Sequence, residues 1–270
     1  LGMKQPREYD EQVLKYLIMA LIVLCTYILI MSRNFIICLK HGTKYGPNYV
    51  NTLEQMVRRN CTVPFECICY TDDTTGLNNS IRTMDLTGAY GVTGWWHKPL
   101  LFNPNNPIGD PGDTILYTDL DVIIFRNIDK LFSYKEGKFC VIRDFNRSAN
   151  PQWQKFNSSV VRWQIGQHPQ IYNDFIKTAP TQVRRFHGDQ DWLYSQVFNT
   201  KDFEFWPDEW IMSYKWEMRS RPPMHRRKDG VRDFISPGVP AVKPETSIAV
   251  FHGDPQPANC QDPWCIENWR

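Results

Sequence analysis

Short apolar runs alternate with polar segments along most of the chain. The first clear pair covers residues 35–39 and 65–70, and a predicted helix over about residues 48–60 separates them. Short runs rich in aromatic and β-branched side chains indicate buried strands. A strand, a helix and a second strand in this order predict a βαβ unit and a parallel sheet.

A third apolar stretch, residues 113–125, is interrupted by two carboxylates, Asp119 and Asp121. Its flanks, 115–117 and 122–125, predict buried strand, where a carboxylate is costly unless it is paired or holds a metal. Residues two apart in an extended backbone point to one side, so a divalent cation would relieve their mutual repulsion. Oxygen ligands favour Mg²⁺ or Mn²⁺ over Zn²⁺. An ordinary Asx turn at a strand end is the alternative.

The longest apolar run, residues 16–31, lies near the start of the chain. As a helix it would be about 24 Å long, slightly short of the roughly 30 Å hydrocarbon core. Residues 1–32 therefore have three interpretations: a single-pass anchor of a membrane-associated protein, a non-native extension of a cytoplasmic protein that starts at Met31, or a packed core helix. Residues 33–270 are predicted to form one α/β domain.

Composition narrows the class of protein only slightly. The formal net charge of +2 gives no sign of a nucleic-acid partner, and we expect none. The eight cysteines lack both the regular framework of a disulfide-rich scaffold and paired C-x₂-C spacing, so most are predicted to be buried apolar residues. Cys260 and Cys265 lie in a loop-rich tail and are close enough in sequence for a disulfide. Their proximity is the only feature that indicates one.

A series of motifs follows in one order along residues 35–260. They are Lys98 in a W-x-K context, the D-x-D stretch 116–121, the strand segment 141–144, the F-N-S-S-V segment 156–160, the G-D-Q-D segment 188–191 and the closing segment 250–257. Together they resemble the family 8 glycosyltransferases, which include glycogenin and the galactosyltransferases of bacterial lipooligosaccharide. The resemblance implies a Rossmann-like GT-A domain with a mixed, mainly parallel sheet flanked by helices. It also implies metal-dependent, retaining transfer from a UDP-sugar to an unknown glycan, lipid-linked or protein acceptor.

Roles for individual residues follow from the motifs and the resemblance. The expected ligands of Mn²⁺ or Mg²⁺ are two carboxylates and an imidazole: Asp119, Asp121 and His252. The expected donor-binding residues are Lys98, Asp72, Asp119, Asn157, Asp189 and Gly253. The residues expected to act at the transferred sugar are Gln190, Asp144 and Asp191. Asp72 is included because it follows the second strand, and ligands of open α/β sheets bind beyond the carboxyl ends of strands.

Two positions depart from the family pattern. Ser159 replaces a glycine, and Gln256 replaces a lysine that would contact the diphosphate. Lys243 or an arginine within residues 219–228 would be the available substitute. These departures favour, as the alternative function, a catalytically weak or inactive sugar-nucleotide-binding protein. A nucleotidyltransferase is less favoured because residues 40–46 contain only part of a glycine-rich phosphate loop.

Overall fold

The computed structural model describes four stretches of the chain: residues 13–19, 32–86, 90–221 and 238–270. Residues 13–19 are helical and exposed, and Asn34–Arg270 is a compact unit. Within the described stretches, no helix has both the length and the apolar character to cross a membrane. Of the predicted span over residues 16–31, the structure describes only residues 16–19. Residues 20–31, which include Cys25, lie outside the described residues.

The compact unit alternates strands and helices along the chain. Its strands are β1 Asn34–Lys40, β2 Glu66–Thr71, β3 Arg82–Asp85, β4 Thr114–Thr118, β5 Val122–Ile124, β6 Phe139–Arg143, β7 Phe156–Gln164, β8 Phe203–Phe205, β9 Ile211–Ser213 and β10 Ile248–Val250. Its α-helices are α1 Pro47–Asn60, α2 Lys130–Ser133, α3 Gln170–Arg185, α4 Asp189–Val197 and α5 Pro263–Asn268. A 3₁₀ helix spans Gly94–Phe102, and a π-helical turn spans Tyr214–Met218.

A seven-stranded sheet is central to the unit, with the strand order β3-β2-β1-β4-β7-β6-β8. Strand β1 is parallel to β2 and β4, β2 is parallel to β3, and β6 is parallel to β8. Only β7 runs against its neighbours, β4 and β6, within this sheet. The predicted α/β class, the βαβ unit at the start and the mixed, mainly parallel sheet are therefore confirmed.

A second sheet contains three strands in the order β5-β10-β9. Strand β10 is antiparallel to β5 and parallel to β9. Because β4 belongs to the large sheet and β5 to the small one, the chain changes sheet between residues 118 and 122. The two carboxylates that interrupt the apolar stretch lie at this crossing.

Alternate side chains of β1 belong to different cores, as the period of a strand requires. Ile36 and Cys38 pack in a cluster with α1 and the small sheet, whereas Phe35 and Ile37 pack in a cluster with α3 and α4. The large sheet is thus covered on both faces. The seven described cysteines are free and buried, as predicted for most of them.

Candidate functional site

A cavity of about 410 Å³ lies at the carboxyl ends of β1 and β4. This is the edge at which open α/β sheets bind ligands. The predicted site residues in its wall are Lys98, Asp119, Asp121, Asn157, Asp189, Gln190, Asp191 and His252. Three predicted residues lie outside the wall: Asp72, Asp144 and Gly253. The structure therefore brings together side chains from motifs far apart in the sequence.

The bend at residues 119–121 is tied to both sheets by its backbone. The amide of Asp119 donates to the carbonyl oxygen of Ser159 at 2.8 Å, and the amide of Phe251 donates to that of Asp121 at 2.8 Å. These bonds hold the bend between β7 and the residue that precedes His252. From the sequence, both carboxylates are expected on one extended strand. They lie instead on a bend, and both still line the cavity.

The carboxylate of Asp121 is buried, with 8% of the residue exposed. Its Oδ2 accepts a hydrogen bond from the hydroxyl of Tyr45 at 3.0 Å. Burial, and next the negative charge of Asp119, raise the pKa of Asp121 to about 7. The charges of Lys44 and Lys98 offset this rise only in part, and a divalent cation would supply further positive charge.

Lys98 joins the D-x-D bend to the start of α4. Its Nζ lies 2.9 Å from Oδ1 of Asp119 and 3.3 Å from Oδ2 of Asp189, and it donates to Oγ of Ser158 at 2.9 Å. Tyr117 also donates to Oδ1 of Asp119, at 2.6 Å. Burial alone lowers the pKa of Lys98, but the charges of Asp119 and Asp189 outweigh burial and raise that pKa above its usual value. Lys98 is therefore a buried ammonium held between carboxylates.

Asp189 does not cap the helix that it begins. The N-cap of α4 is Gly188, and Oδ2 of Asp189 instead accepts a hydrogen bond from Ser158 at 2.5 Å. The side chain of Asp189 therefore joins α4 to β7. Gln190 and Asp191, the next two residues, line the cavity from the first turn of the helix.

The imidazole of His252 packs against two aromatic rings. The ring centroids of Phe145 and Trp216 are 5.7 Å and 4.3 Å from it, and its Nε2 is hydrogen-bonded to Oγ of Ser213 at 2.7 Å. Burial, and next the charge of Lys215, lower the pKa of His252 to about 3. The ring is therefore uncharged near neutral pH, which is the form that binds metals.

The chemistry of Asp119, Asp121 and His252 fits a divalent cation that prefers oxygen ligands. The three side chains face one cavity, although their ligand atoms do not all lie within 4.8 Å of one another. Among the described residues, the set that meets this distance is Cys260, Asp262 and Cys265.

The Cys260, Asp262 and Cys265 set has the character of a packed structural cluster. Arg219 forms an ion pair with Oδ2 of Asp262, and the backbone amide of Gly238 donates to Oδ1. Both carboxylate oxygens thus have protein partners, and a guanidinium lies where a cation would have to approach. Cys260 and Cys265 are free thiols, so the disulfide considered from the sequence is not formed.

The remaining predicted residues have local partners. Oδ1 of Asn157 accepts from the amide of Ser159 at 3.1 Å, so Asn157 shapes the start of β7 as well as lining the cavity. Asp144 is buried and caps a 3₁₀ helix by accepting from the amide of Asn146 at 3.0 Å. Asp72 accepts from the amide of Gly42, next to the cavity-lining loop after β1. The last of the set, Gly253, has a φ of 76°, a conformation that favours glycine.

The structure also shows where the unusual Gln256 points. Its Nε2 donates to the carbonyl oxygen of Gly253 at 3.0 Å, so the side chain folds back on its own loop. Of the expected substitutes, Lys243 and Arg221 do not line the cavity and Arg219 pairs with Asp262, while residues 222–228 lie outside the described residues. Lys44, in the loop after β1, lines the cavity instead.

Several cavity residues were not predicted from the sequence: His41, Lys44, Tyr45, Trp95, Tyr117, Ser158 and His187. The first three belong to the loop after β1. The rule that placed Asp72 near a ligand, proximity to the carboxyl end of a strand, applies equally to this loop and would have found it. Trp95, which is 54% exposed, precedes the predicted Lys98 on the same 3₁₀ helix.

Comparison with known proteins gives matches in structure alone. No protein-family model matches the chain, and no curated protein matches it. The glycosyltransferase GlyE of Streptococcus pneumoniae TIGR4 superposes with a TM-score of 0.59 at 14% identity, over 88% of this chain and 60% of GlyE. The galactosyltransferase LgtC in complex with donor and acceptor sugar analogues gives 0.57 at 13% identity, over 86% of this chain and 93% of LgtC. The fold is that of these glycosyltransferases.

An active-site mutant of LgtC, in which glutamate replaces glutamine, superposes with a TM-score of 0.56 at 13% identity. At identities this low, structural similarity shows the fold alone. The predicted GT-A fold is therefore confirmed. The chain spans 60% of the length of GlyE.

Proposed function

We propose that the protein is a retaining glycosyltransferase that moves a sugar from a UDP-sugar to a carbohydrate or glycoconjugate acceptor. The observation that carries this proposal is the convergence of Lys98, Asp119, Asp121, Gln190 and His252 on one cavity in a GT-A fold. These residues come from separate motifs of the sequence. Their convergence at the ligand-binding edge of the sheet supports a shared task.

The diphosphate of the donor would lie beside the cations of the cavity. Asp119, Asp121 and His252 would hold Mn²⁺ or Mg²⁺, which when bound offsets the charge that develops on the departing nucleoside diphosphate. Lys98 adds a buried positive charge to this region, and Lys44 adds an exposed one. We assign to Lys44 the phosphate contact that the family pattern gives to a lysine at the position of Gln256.

The transferred sugar would lie against the first turn of α4 and the start of β7. The amides of Asn157 and Gln190 and the carboxylate of Asp191 can donate to or accept from sugar hydroxyls. Such buried paired contacts discriminate between sugars that differ at one hydroxyl. A role for Gln190 close to the reacting carbon agrees with the active-site glutamine of LgtC. Asp144, which lies outside the cavity wall, is better assigned to capping.

The alternative is a sugar-nucleotide-binding protein without transfer activity. Gln256, whose side chain is bound to its own loop, and Ser159 in place of glycine favour it. Both functions share the donor site, so they differ in turnover and not in binding.

Calorimetric titration of the full chain with UDP, with and without Mn²⁺, tests the donor site. We expect binding that requires Mn²⁺ and that Asp121→Ala abolishes, while Asp174→Ala, at an exposed ion pair with Lys177, serves as the matched control. Undiminished binding by Asp121→Ala would overturn the site assignment. A panel of UDP-sugars is then scored for release of UDP: turnover of one donor supports the transferase, and tight binding without turnover supports the alternative.

A further inference from the structure

Lys215 lies on the π-helical turn after β9 and is completely buried, with 0% of the residue exposed. Lysine is among the residues that are least often fully buried, because an ammonium group loses its hydration there. A buried ammonium therefore needs well-placed acceptors. In this protein the acceptors belong to the loop that begins at His252, a residue of the cavity wall.

The Nζ of Lys215 donates hydrogen bonds to two backbone carbonyl oxygens of the closing loop. One belongs to His252 and the other to Asp254, the latter at 3.0 Å. Between them, the carbonyl oxygen of Gly253 accepts from Nε2 of Gln256 at 3.0 Å. Consecutive carbonyl oxygens of residues 252–254 are thus all held by side-chain donors of the protein.

This arrangement suits a loop next to an anion. Carbonyl oxygens carry partial negative charge and repel phosphate oxygens, so a phosphate-binding loop must direct them elsewhere. Lys215 binds the loop from the interior, and Gln256 binds it from within its own segment. The glutamine that breaks the family pattern therefore stabilises the loop conformation.

The same turn holds the side chain of His252. Ser213, two residues before Lys215, is hydrogen-bonded to the imidazole at 2.7 Å, and the ring of Trp216 packs against it. The turn is itself fixed, because the amide of Ser213 donates to Oε2 of Glu217 at 2.8 Å and Arg147 forms an ion pair with Glu217 at 2.9 Å. Backbone and side chain of His252 are consequently positioned by one rigid segment.

We propose that Lys215 is a positioning residue of the donor site: it fixes the loop of residues 252–254 so that His252 faces the cavity and the loop carbonyls are directed away from the nucleoside diphosphate. This inference rests on the proposed function and extends it to a residue that does not line the cavity. The role concerns phosphate and metal recognition and leaves recognition of the nucleoside unaffected.

The test is the Lys215→Met variant of the full chain, which keeps an unbranched side chain, shorter by the terminal nitrogen, and removes its donors. We expect Mn²⁺-dependent affinity for UDP, measured by calorimetry, to fall by about 10–100-fold, the range seen when a group that orients a metal ligand is removed. Affinity for uridine, which lacks phosphate, should stay within about twofold of the wild type. Lys215→Gln, which keeps N–H donors on a shorter side chain, should lose less, and it replaces the first variant if Lys215→Met does not fold.

Arg162 provides a matched control, because it is a second buried cation that donates to backbone carbonyls, those of Leu131 and Phe132 among them. Arg162→Lys should lower the melting temperature and leave the ratio of UDP to uridine affinity unchanged. Equal UDP affinity in the wild type and in the Lys215 variants overturns the positioning role alone. Failure of the wild type to bind UDP overturns the proposed function and this inference with it.

Discussion

The hydroxyl of Tyr45 donates a hydrogen bond to Oδ2 of Asp121 at 3.0 Å and so joins the loop after β1 to the bend between the two sheets. Asp121 is the buried member of the carboxylate pair, and this bond partly replaces the water that burial removes. Burial, and next the charges of Asp121 and Asp119, raise the pKa of Tyr45 well above its usual value, so the hydroxyl remains a donor at any physiological pH.

Removing this donor should destabilise the protein. Tyr45→Phe is expected to lower the free energy of unfolding by about 1–2 kcal/mol at pH 8, because a hydrogen bond to a charged group contributes more than a neutral one. Denaturant unfolding measures the change. Tyr90→Phe is the control, since Tyr90 shares an exposed bond between hydroxyls with Tyr172 at 2.8 Å. Equal stabilities of the two variants would contradict the importance assigned to the Tyr45 contact.

Lys44 should distinguish nucleotides by their phosphates. Lys44→Ala is expected to weaken Mn²⁺-dependent UDP binding by about tenfold, or about 1.4 kcal/mol, and to leave uridine binding unchanged. Calorimetric titrations of each ligand measure the difference. Lys155→Ala is a close control. Like Lys44, Lys155 is exposed and its Nζ lies over a tyrosine ring, 4.0 Å from the centroid of Tyr194, but it does not line the cavity. A parallel loss for UDP and uridine would argue against a phosphate contact.

Lys98 should matter to stability as well as to binding. Lys98→Ala removes the cation shared by Asp119 and Asp189, and the loss of one partner from a buried ion pair costs about 3–5 kcal/mol. Thermal and denaturant unfolding of the purified variant measure this cost. Lys138→Ala should cost less than about 1 kcal/mol, because its partner Asp202 is exposed. Similar losses in both variants would show that Lys98 has no special structural role.

Asp129 should make stability depend on pH in the acid range. Burial raises its pKa, but hydrogen bonds from Thr62, Asn127 and Val63 outweigh burial and lower the pKa to about 2. Because the folded-state pKa lies below the unfolded value of about 3.9, the contribution is complete above about pH 5 and is lost as pH falls toward 2. With allowance for solvent screening, Asp129→Asn should cost about 1–2 kcal/mol at pH 7 and little at pH 2.

Unfolding free energies of the wild type and of Asp129→Asn, compared at pH 7 and near pH 2.5, test this dependence. The difference between the two proteins should shrink as the pH falls. Asp174→Asn, at the exposed pair with Lys177, should show only a small difference at both pH values. If Asp129→Asn lowered the unfolding free energy equally at both pH values, the loss would come from altered packing or hydrogen-bond geometry and not from the carboxylate charge.

The sequence predicted the sheet well because its strands are short, apolar and separated by recognisable turns. The segments at 35–39 and 65–70 lie within β1 and close to β2, and their parallel pairing followed from the helix between them. The D-x-D stretch was also found from sequence, since two carboxylates among buried residues violate the ordinary pattern of a core. Local rules were sufficient in these cases.

The rest of the site depends on contacts that sequence separation hides. Lys215 looks like an ordinary polar residue in the sequence, and only the meeting of its turn with the closing loop reveals its acceptors. Asp144 was found from a family motif, and the structure shows that its side chain caps a 3₁₀ helix outside the cavity wall, while its role at the sugar stays a prediction. Tyr45 and Lys44 lie in a polar loop whose composition is typical of many turns. Tertiary packing, and not local composition, decides these roles.

The bend between β4 and β5 links the candidate site to the small sheet, whose strands contribute no residue to the cavity wall. Asp119 is held by β7 of the large sheet, and Asp121 is held by Phe251 at the end of β10 in the small sheet. A shift of one sheet against the other would therefore alter the spacing of the two carboxylates directly. We therefore expect a change in the core of the small sheet, such as Ile123→Val, to alter the affinity for UDP although no cavity-lining side chain changes. The packing of the small sheet thus bears on the geometry of the candidate site as well as on stability.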